Sequence, residues 1–109
     1  MKRGDVVIVS AQSDYGKPRP AVVIQADLLN EHADSVIVCL MTGTASSASM
    51  VRMPVAPSPG NGLQQVTYLM TEKLMTFPKS KISKITGELE EEIMFRLDRI
   101  LAFVLGLAE

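Results

Sequence analysis

The order of apolar and polar residues predicts a series of short strands. Four segments rich in β-branched or apolar residues lie between polar stretches with turn chemistry: "GDVVIVS", "RPAVVIQ", "DSVIVCLM" and "MVRMPV". Two further segments, "QVTYLM" and "EKLMTF", indicate two short strands or one bent strand. The third segment is apolar almost throughout, so we expect it at the centre of a sheet. Pro54 places the fourth near an edge or an end.

The pattern changes to helical spacing near the end of the chain. Within "TGELEEEIMFRLDRILAFVLGLAE" apolar residues recur every three or four positions, which predicts a helix with one buried stripe. The stripe comprises Leu89, Ile93, Leu97, Ile100, Leu101, Val104 and Leu105. Glutamates at its start suit the helix dipole. Strands followed by one helix predict a mainly β fold with α, a small antiparallel barrel capped by the helix.

Length and composition favour one folded domain over residues 1–109. The chain is 47% apolar and 21% charged, which is ordinary for a folded soluble protein. The early apolar run, Val6 to Val9, is too short for a signal peptide, and no apolar stretch reaches membrane-spanning length. Cys39 is the only cysteine, so an internal disulfide is excluded and we expect a cytoplasmic protein with no membrane association.

Charge adds a modest signal. The net charge is −1, but residues 1–87 carry nine basic and six acidic side chains, whereas residues 88–109 carry two and six. The larger part is therefore mildly basic, which is compatible with an anionic ligand. A mixed solvated surface explains the same distribution equally well.

Metal and histidine-based chemistry find little support. His32 and Cys39 are the only residues of their types, so they cannot assemble a tetrahedral zinc set, and we expect no metal or other cofactor. His32 lies in the polar segment "LLNEHADS", typical of an exposed loop. Cys39 lies mid-strand and is expected to behave as a small buried hydrophobe rather than a reactive thiol.

Two polar residues stand out at predicted strand ends. Arg19 lies between Pro18 and Pro20, which restrict the backbone on either side of it. Thr42 ends the third strand, just before the small-residue loop "GTASSAS". Arg19 could instead pair with Asp5, and the Thr42 hydroxyl could cap a turn. Their joint occurrence at strand ends favours a shared functional site.

The sequence resembles the MazF/PemK (Kid) family of toxins from type II toxin–antitoxin systems. The resemblance rests on "RGDVVIV", "GKPRPAVVIQ", "SVIVCLMTGT", "LMTEKLMTFPKSKI" and "LDRILAFVLGL", in that order. It covers nearly the whole chain, and the G-D start followed by G-x-x-R-P is its most specific part. The resemblance implies a small SH3-like barrel of the CcdB/MazF type with a C-terminal helix, assembled as a homodimer.

The resemblance also implies an activity. The family cleaves single-stranded RNA such as mRNA without metal, leaving 2′,3′-cyclic phosphate and 5′-hydroxyl ends, and a cognate antitoxin protein inhibits it. Its catalytic arginine and threonine fall on Arg19 and Thr42. A guanidinium can hold two phosphoryl oxygens, and a threonine hydroxyl can donate one further hydrogen bond. We assign Arg19 as a phosphate clamp that could also act as the acid, and we assign no general base.

Other candidate RNA contacts lie around the predicted groove. They are Tyr15, Lys17, Thr44, Ser46, Ser47, Arg52, Lys73 and Lys79. Tyr15 is the aromatic best placed for stacking, ahead of Tyr68. Many relatives have an acidic residue, a glutamine and, two residues later, an arginine in the fifth-strand region. Here these positions are Glu72, Lys73 and Met75, so the glutamine and the arginine of that motif are missing. Either Lys73 replaces the missing positive charge or the RNA preference differs.

Two alternative functions remain. The CcdB toxins use the same fold to poison DNA gyrase through a C-terminal helix end that carries a tryptophan. This chain has no tryptophan and ends in "GLAE", while it keeps the arginine and threonine positions. A barrel that binds a partner peptide without catalysis is the other alternative. The retained arginine and threonine favour the nuclease.

Overall fold

The computed structural model describes residues 1–10, 17–44 and 51–108, and these form one antiparallel sheet with two helices. The strands are β1 (Asp5–Ser10), β2 (Pro18–Val23), β3 (Ser35–Thr42), β4 (Arg52–Val55), β5 (Thr67–Pro78) and β6 (Ile82–Glu88). The helices are α1 (Asp27–His32) and α2 (Glu91–Val104), with a 3-10 turn at Lys79–Lys81. The strand order in the sheet is β4-β5-β3-β2-β1-β6.

This architecture confirms the predicted antiparallel fold with a C-terminal helix. The apolar strand β3 lies inside the sheet, between β2 and β5, and Pro54 lies on the edge strand β4, both as predicted. In the described residues β4 and β6 do not pair, so the sheet remains open instead of closing as a hydrogen-bonded barrel. The two segments after the "APSPGNG" loop form one bent strand, β5, whose register against β3 shifts between Cys39 and Met41.

Two elements were not predicted. Among the described residues the strand β6 pairs only with β1, and it is mostly exposed. Its sequence, "ISKITGE", therefore lacks the apolar alternation of a covered strand. The helix α1 was predicted as part of a loop. Its fourth residue, Asn30, is buried: its side-chain carbonyl accepts from the Gln25 side-chain amide, and its own amide donates to the backbone carbonyl of Gln25. A buried amide pair of this kind is specified by tertiary contacts, and local periodicity does not reveal it.

One apolar cluster, which we call the helix-side cluster, packs α2 on the sheet. The helix contributes Leu97 and Leu101, with Leu89 just before it. The strands contribute Val6, Val22, Cys39, Met41, Met53, Val55 and Leu69. The predicted stripe is therefore confirmed at its centre, whereas Leu105 follows the helix end and is 55% exposed.

The opposite face of the sheet carries a second cluster, which we call the site-side cluster. Its members are Val7, Val9, Ala21, Val23, Val36, Val38, Leu40, Met70 and Phe77. All come from strands, and within the described part of the chain no helix residue joins them. Since β5 is bent and the β1–β6 register is also irregular, we infer that the curled sheet covers this face itself.

Candidate active site

Arg19 and Thr42 lie at the same end of two neighbouring strands. The paired register of β2 and β3 ends with Ala21 opposite Leu40. Arg19 lies two residues beyond this pair on β2, and Thr42 lies two residues beyond it on β3. Because alternate residues of a strand point to the same face, both side chains share the face of Ala21 and Leu40. The structure thus brings the two predicted catalytic residues to one strand end, on the side of the site-side cluster.

Local contacts hold the Thr42 hydroxyl. The backbone N–H of Thr44 donates a hydrogen bond of 3.2 Å to Thr42 Oγ1. This is the turn-capping role that the sequence offered as an alternative for Thr42. A hydroxyl oxygen that accepts one hydrogen bond still has its own O–H to donate. Turn capping therefore orients the hydroxyl without preventing Thr42 from donating to a ligand.

The neighbouring strands extend this face. Thr42 pairs with Tyr68 of β5, which in turn pairs with Pro54 of β4. Tyr68, half-buried, therefore lies on the same face as Thr42. Sequence reasoning ranked Tyr15 above Tyr68, because only the β3–β5 register reveals that Tyr68 stands opposite Thr42.

Arg52, a predicted RNA contact, is engaged in an ion pair. It lies opposite Met70 on β4, and its Nε lies 3.1 Å from Oε2 of Glu72. The two side chains are 18% and 35% exposed, respectively. Arg52 is thus a cation on the site-side face that is fixed in an ion pair, and the Glu72 carboxylate balances its positive charge.

The register places Lys79 far from Thr42. Lys79 follows Pro78, which pairs with Ser35 at the opposite end of β3 from Thr42, and its ammonium donates to the backbone carbonyl of Asn30. The length of β3 therefore separates Lys79 from Thr42, and an RNA contact by Lys79 stays a prediction.

The register also excludes the alternative in which Arg19 pairs with Asp5. Arg19 lies opposite Val9, four residues along β1 from Asp5. At about 3.4 Å per residue this separation exceeds the reach of the two side chains. Asp5 is buried and accepts the backbone N–H of Lys2 instead.

The remaining predicted contacts divide into two groups. Lys17 and Lys73 are exposed, the first just before β2 and the second on β5, and Thr44 follows Thr42 in an exposed turn. Tyr15, Ser46 and Ser47 lie outside the described residues.

The single cysteine and histidine have the environments expected from the sequence. Cys39 is fully buried, and burial raises the pKa of its thiol to about 12. His32 is exposed, although it ends the helix α1 instead of lying in a loop.

Among the described residues no three or more His, Cys, Asp or Glu side chains cluster as metal ligands. None of the described helices has the length and apolar character needed to cross a membrane.

A family model decides the affiliation of the chain. The model for the PemK-like, MazF-like toxin of type II toxin–antitoxin systems matches residues 2–105. The chain belongs to this family. A curated relative from Mycolicibacterium smegmatis, named probable endoribonuclease MazF, is 39% identical over 99% of both chains. The endoribonuclease EndoA of Bacillus subtilis is 26% identical over 100% of this chain and 97% of its own.

Solved structures of MazF proteins share the fold. A mycobacterial endoribonuclease in complex with its cognate antitoxin superposes with a TM-score of 0.86 at 21% identity, over 100% of this chain and 98% of that one. The Mycobacterium tuberculosis toxin MazF-mt6 gives a TM-score of 0.81 at 20% identity, over 96% and 99%. The MazF of a Deinococcus radiodurans MazE–MazF structure gives 0.77 at 16% identity, over 99% and 97%. These similarities confirm the predicted MazF-like fold.

Proposed function

We propose that this protein is a toxin endoribonuclease that cleaves single-stranded RNA at short sequences and that a cognate antitoxin inhibits. Membership of the toxin family and 39% identity to a probable endoribonuclease over nearly the whole chain support the activity. The proposed substrate, mRNA, places its action in the cytoplasm, and we propose a homodimer as the active form. The observation that carries the assignment of the site is the position of Arg19 and Thr42 at one end of β2 and β3.

The proposed reaction uses the RNA as its own nucleophile. A ribose 2′-oxygen attacks the adjacent phosphorus, the bond from phosphorus to the 5′-oxygen breaks, and a 2′,3′-cyclic phosphate forms. The 2′-hydroxyl loses a proton and the 5′-oxygen gains one, so the step consumes no water. Negative charge grows on the phosphoryl oxygens during this step, and preorganised donors aimed at them lower the barrier.

Arg19 and Thr42 would provide those donors. The Arg19 guanidinium can donate two parallel hydrogen bonds to the phosphate, and it remains protonated at neutral pH. Thr42 can donate its O–H to the same group while its oxygen accepts the N–H of Thr44. Losing one such donor typically lowers the rate by about 10²–10³-fold. Arg19 is the clamp in this mechanism, and Thr42 is the second donor.

The decisive test is cleavage of a long RNA by the purified protein in the presence of EDTA, with both new ends mapped. We expect cuts at defined short sequences with cyclic phosphate and 5′-hydroxyl ends, and their loss in Arg19→Ala and Thr42→Ala. The matched control Arg96→Ala removes a cation from the exposed side of α2 and should leave cleavage unchanged. Intact RNA with all proteins, or DNA breaks that depend on gyrase, would overturn the proposal.

A further inference from the structure

An open cavity lies beside the Arg19 strand on the other face of the sheet. Its volume is about 600 Å³, and its lining includes Ile8, Pro20, Leu63, Gln64, Gln65 and Lys84. Pro20 follows Arg19 in sequence and pairs with Ile8 across β1 and β2. Because successive residues of a strand point to opposite faces, Pro20 faces this cavity while Arg19 faces the site-side cluster. The cavity and the candidate active site therefore meet across one strand.

A second contact joins the cavity to Thr42. Gly43 packs so closely on the side-chain amide of Gln65 that a Cβ at residue 43 would collide with it. Gln65 lines the cavity, and Gly43 directly follows Thr42. Gln65 thus links the cavity to the residue that follows β3.

The wall of the cavity is built rigidly. The side chain of Asn61, fully buried, accepts the N–H groups of Ser58 and Leu63 and donates to the carbonyl of Ala56. Gly62, at a φ of +70°, lies against the backbone of Thr86, where a Cβ would not fit. These contacts fix the start of the wall that leads to Gln64 and Gln65, so the cavity exists before a ligand arrives.

The chemistry of the lining suits a nucleobase. Ile8, Pro20 and Leu63 offer apolar surface for the flat faces of a base. Gln64 and Gln65 offer amides, which can donate and accept at once and so match the edge of a base. Lys84 adds an exposed cation for a phosphate. The volume falls within the range of roughly 300–1,000 Å³ typical of small-molecule sites.

We propose that this cavity binds the base of a nucleotide that flanks the cleaved bond, with Gln64 and Gln65 reading its edge and Lys84 contacting the adjacent phosphate. The proposal rests on the proposed function, because it assigns part of the same RNA to this cavity. An RNA strand whose cleaved phosphate lies at Arg19 and Thr42 would pass over the end of β2 to place the next base there.

Binding can be tested without cleavage. The probes are hexamers of 2′-O-methyl adenosine, cytidine, guanosine or uridine, which lack the nucleophilic hydroxyl, titrated into the protein and followed by NMR. We expect the side-chain amide signals of Gln64 and Gln65 to shift with at least one hexamer. Gln64→Leu should weaken that hexamer roughly tenfold, as losing a good amide–base contact would. The control Arg96→Ala should bind as the wild type does.

Three other outcomes of the titration would each contradict a different claim. Amide signals of Gln64 and Gln65 that stay fixed with all four hexamers would overturn the proposal, whether or not the protein cuts RNA. Amides that respond only to an acidic peptide would assign the cavity to a protein partner instead. Signals that shift with a hexamer in a protein that leaves RNA intact would keep the base site and overturn the proposed cleavage.

Cleavage gives an independent readout. In a library of RNAs varied at the positions around the cut, Gln64→Leu should reduce base preference at one flanking position roughly tenfold while the chemistry of the ends is unchanged. Lys84→Ala should raise KM similarly for every base, because a phosphate contact carries no sequence information. An unaltered preference profile in Gln64→Leu would contradict the proposal.

Discussion

Arg19 and Thr42 occupy corresponding positions on adjacent strands, each two residues beyond the last pair of the β2–β3 register, Ala21 and Leu40. They are separated by 22 intervening residues in the chain, yet they project from the same face. The strands that carry them are anchored in the site-side cluster, since Ala21 of β2 and Leu40 of β3 are both buried there. The sheet therefore fixes the backbone of both residues before any ligand binds, as the proposed electrostatic role of their side chains requires.

The first prediction concerns the exposed lysines. Lys17→Ala and Lys73→Ala should each weaken binding to single-stranded 2′-O-methyl RNA and reduce the slope of log affinity against log salt by about 0.7, the value for one phosphate contact. The measurement is RNA affinity at several salt concentrations. Arg96→Ala is the matched control, because it removes an exposed cation of α2 that is not among the predicted RNA contacts. Unchanged slopes in both test variants would refute these contacts.

The position of Lys79 shows what the sequence could not specify. The strands β1 to β5, the central place of β3 and the helix α2 were predictable because burial leaves a pattern of apolar residues in the sequence. The end of the sheet at which a residue lies depends on strand order and register, which are set by long-range pairing. The positions of Arg19 and Thr42 at predicted strand ends, together with the family motifs, indicated a shared site in advance, whereas Lys79 looked equivalent to Lys17 until the register separated them.

The unpredicted elements follow the same logic. The strand β6 is covered by few neighbours, so Lys84 and Ile85 are both exposed and the period-2 signal is weak. The cavity at Gln64 and Gln65 lies where the Asn61 loop packs against β6. The segment "GNGLQQV" has no local pattern that predicts the cavity or the packing of this loop on β6.

The second prediction concerns the packing of α2. Leu97 is fully buried in the helix-side cluster, so Leu97→Ala should lower the free energy of unfolding by about 2–5 kcal/mol. Leu107 lies beyond the helix and is 78% exposed, so Leu107→Ala should change the free energy by less than about 0.5 kcal/mol. Urea unfolding followed by circular dichroism measures both. Equal losses in the two variants would show that α2 is not anchored as described.

The third prediction concerns the Cys39 thiol. Burial raises its pKa from the ordinary 9.0 to about 12 in the folded protein. The folded state therefore keeps the thiol proton at pH values where the unfolded state has lost it. The resulting contribution to stability is complete below pH 9.0 and is lost as pH rises towards 12.

The measurement is the difference in unfolding free energy between the wild type and Cys39→Ala. This difference should shrink by roughly 1.4 kcal/mol from pH 8 to pH 10, because one group titrates in the unfolded state alone. A thiol reagent at pH 8 should modify Cys39 only when the protein unfolds. Rapid modification of the native protein would contradict a buried thiol.

The most direct test of the central claim is a double-mutant cycle on Arg19 and Thr42. Single-turnover cleavage rates are measured for the wild type, Arg19→Ala, Thr42→Ala and the double variant, with circular dichroism to verify the fold of each. If both residues donate to one phosphate, each single variant loses about 10²-fold or more. The double variant then loses much less than the product of the two, because the donors act as a unit. Losses that multiply fully, or a Thr42→Ala variant with the wild-type rate, would contradict a shared phosphate site.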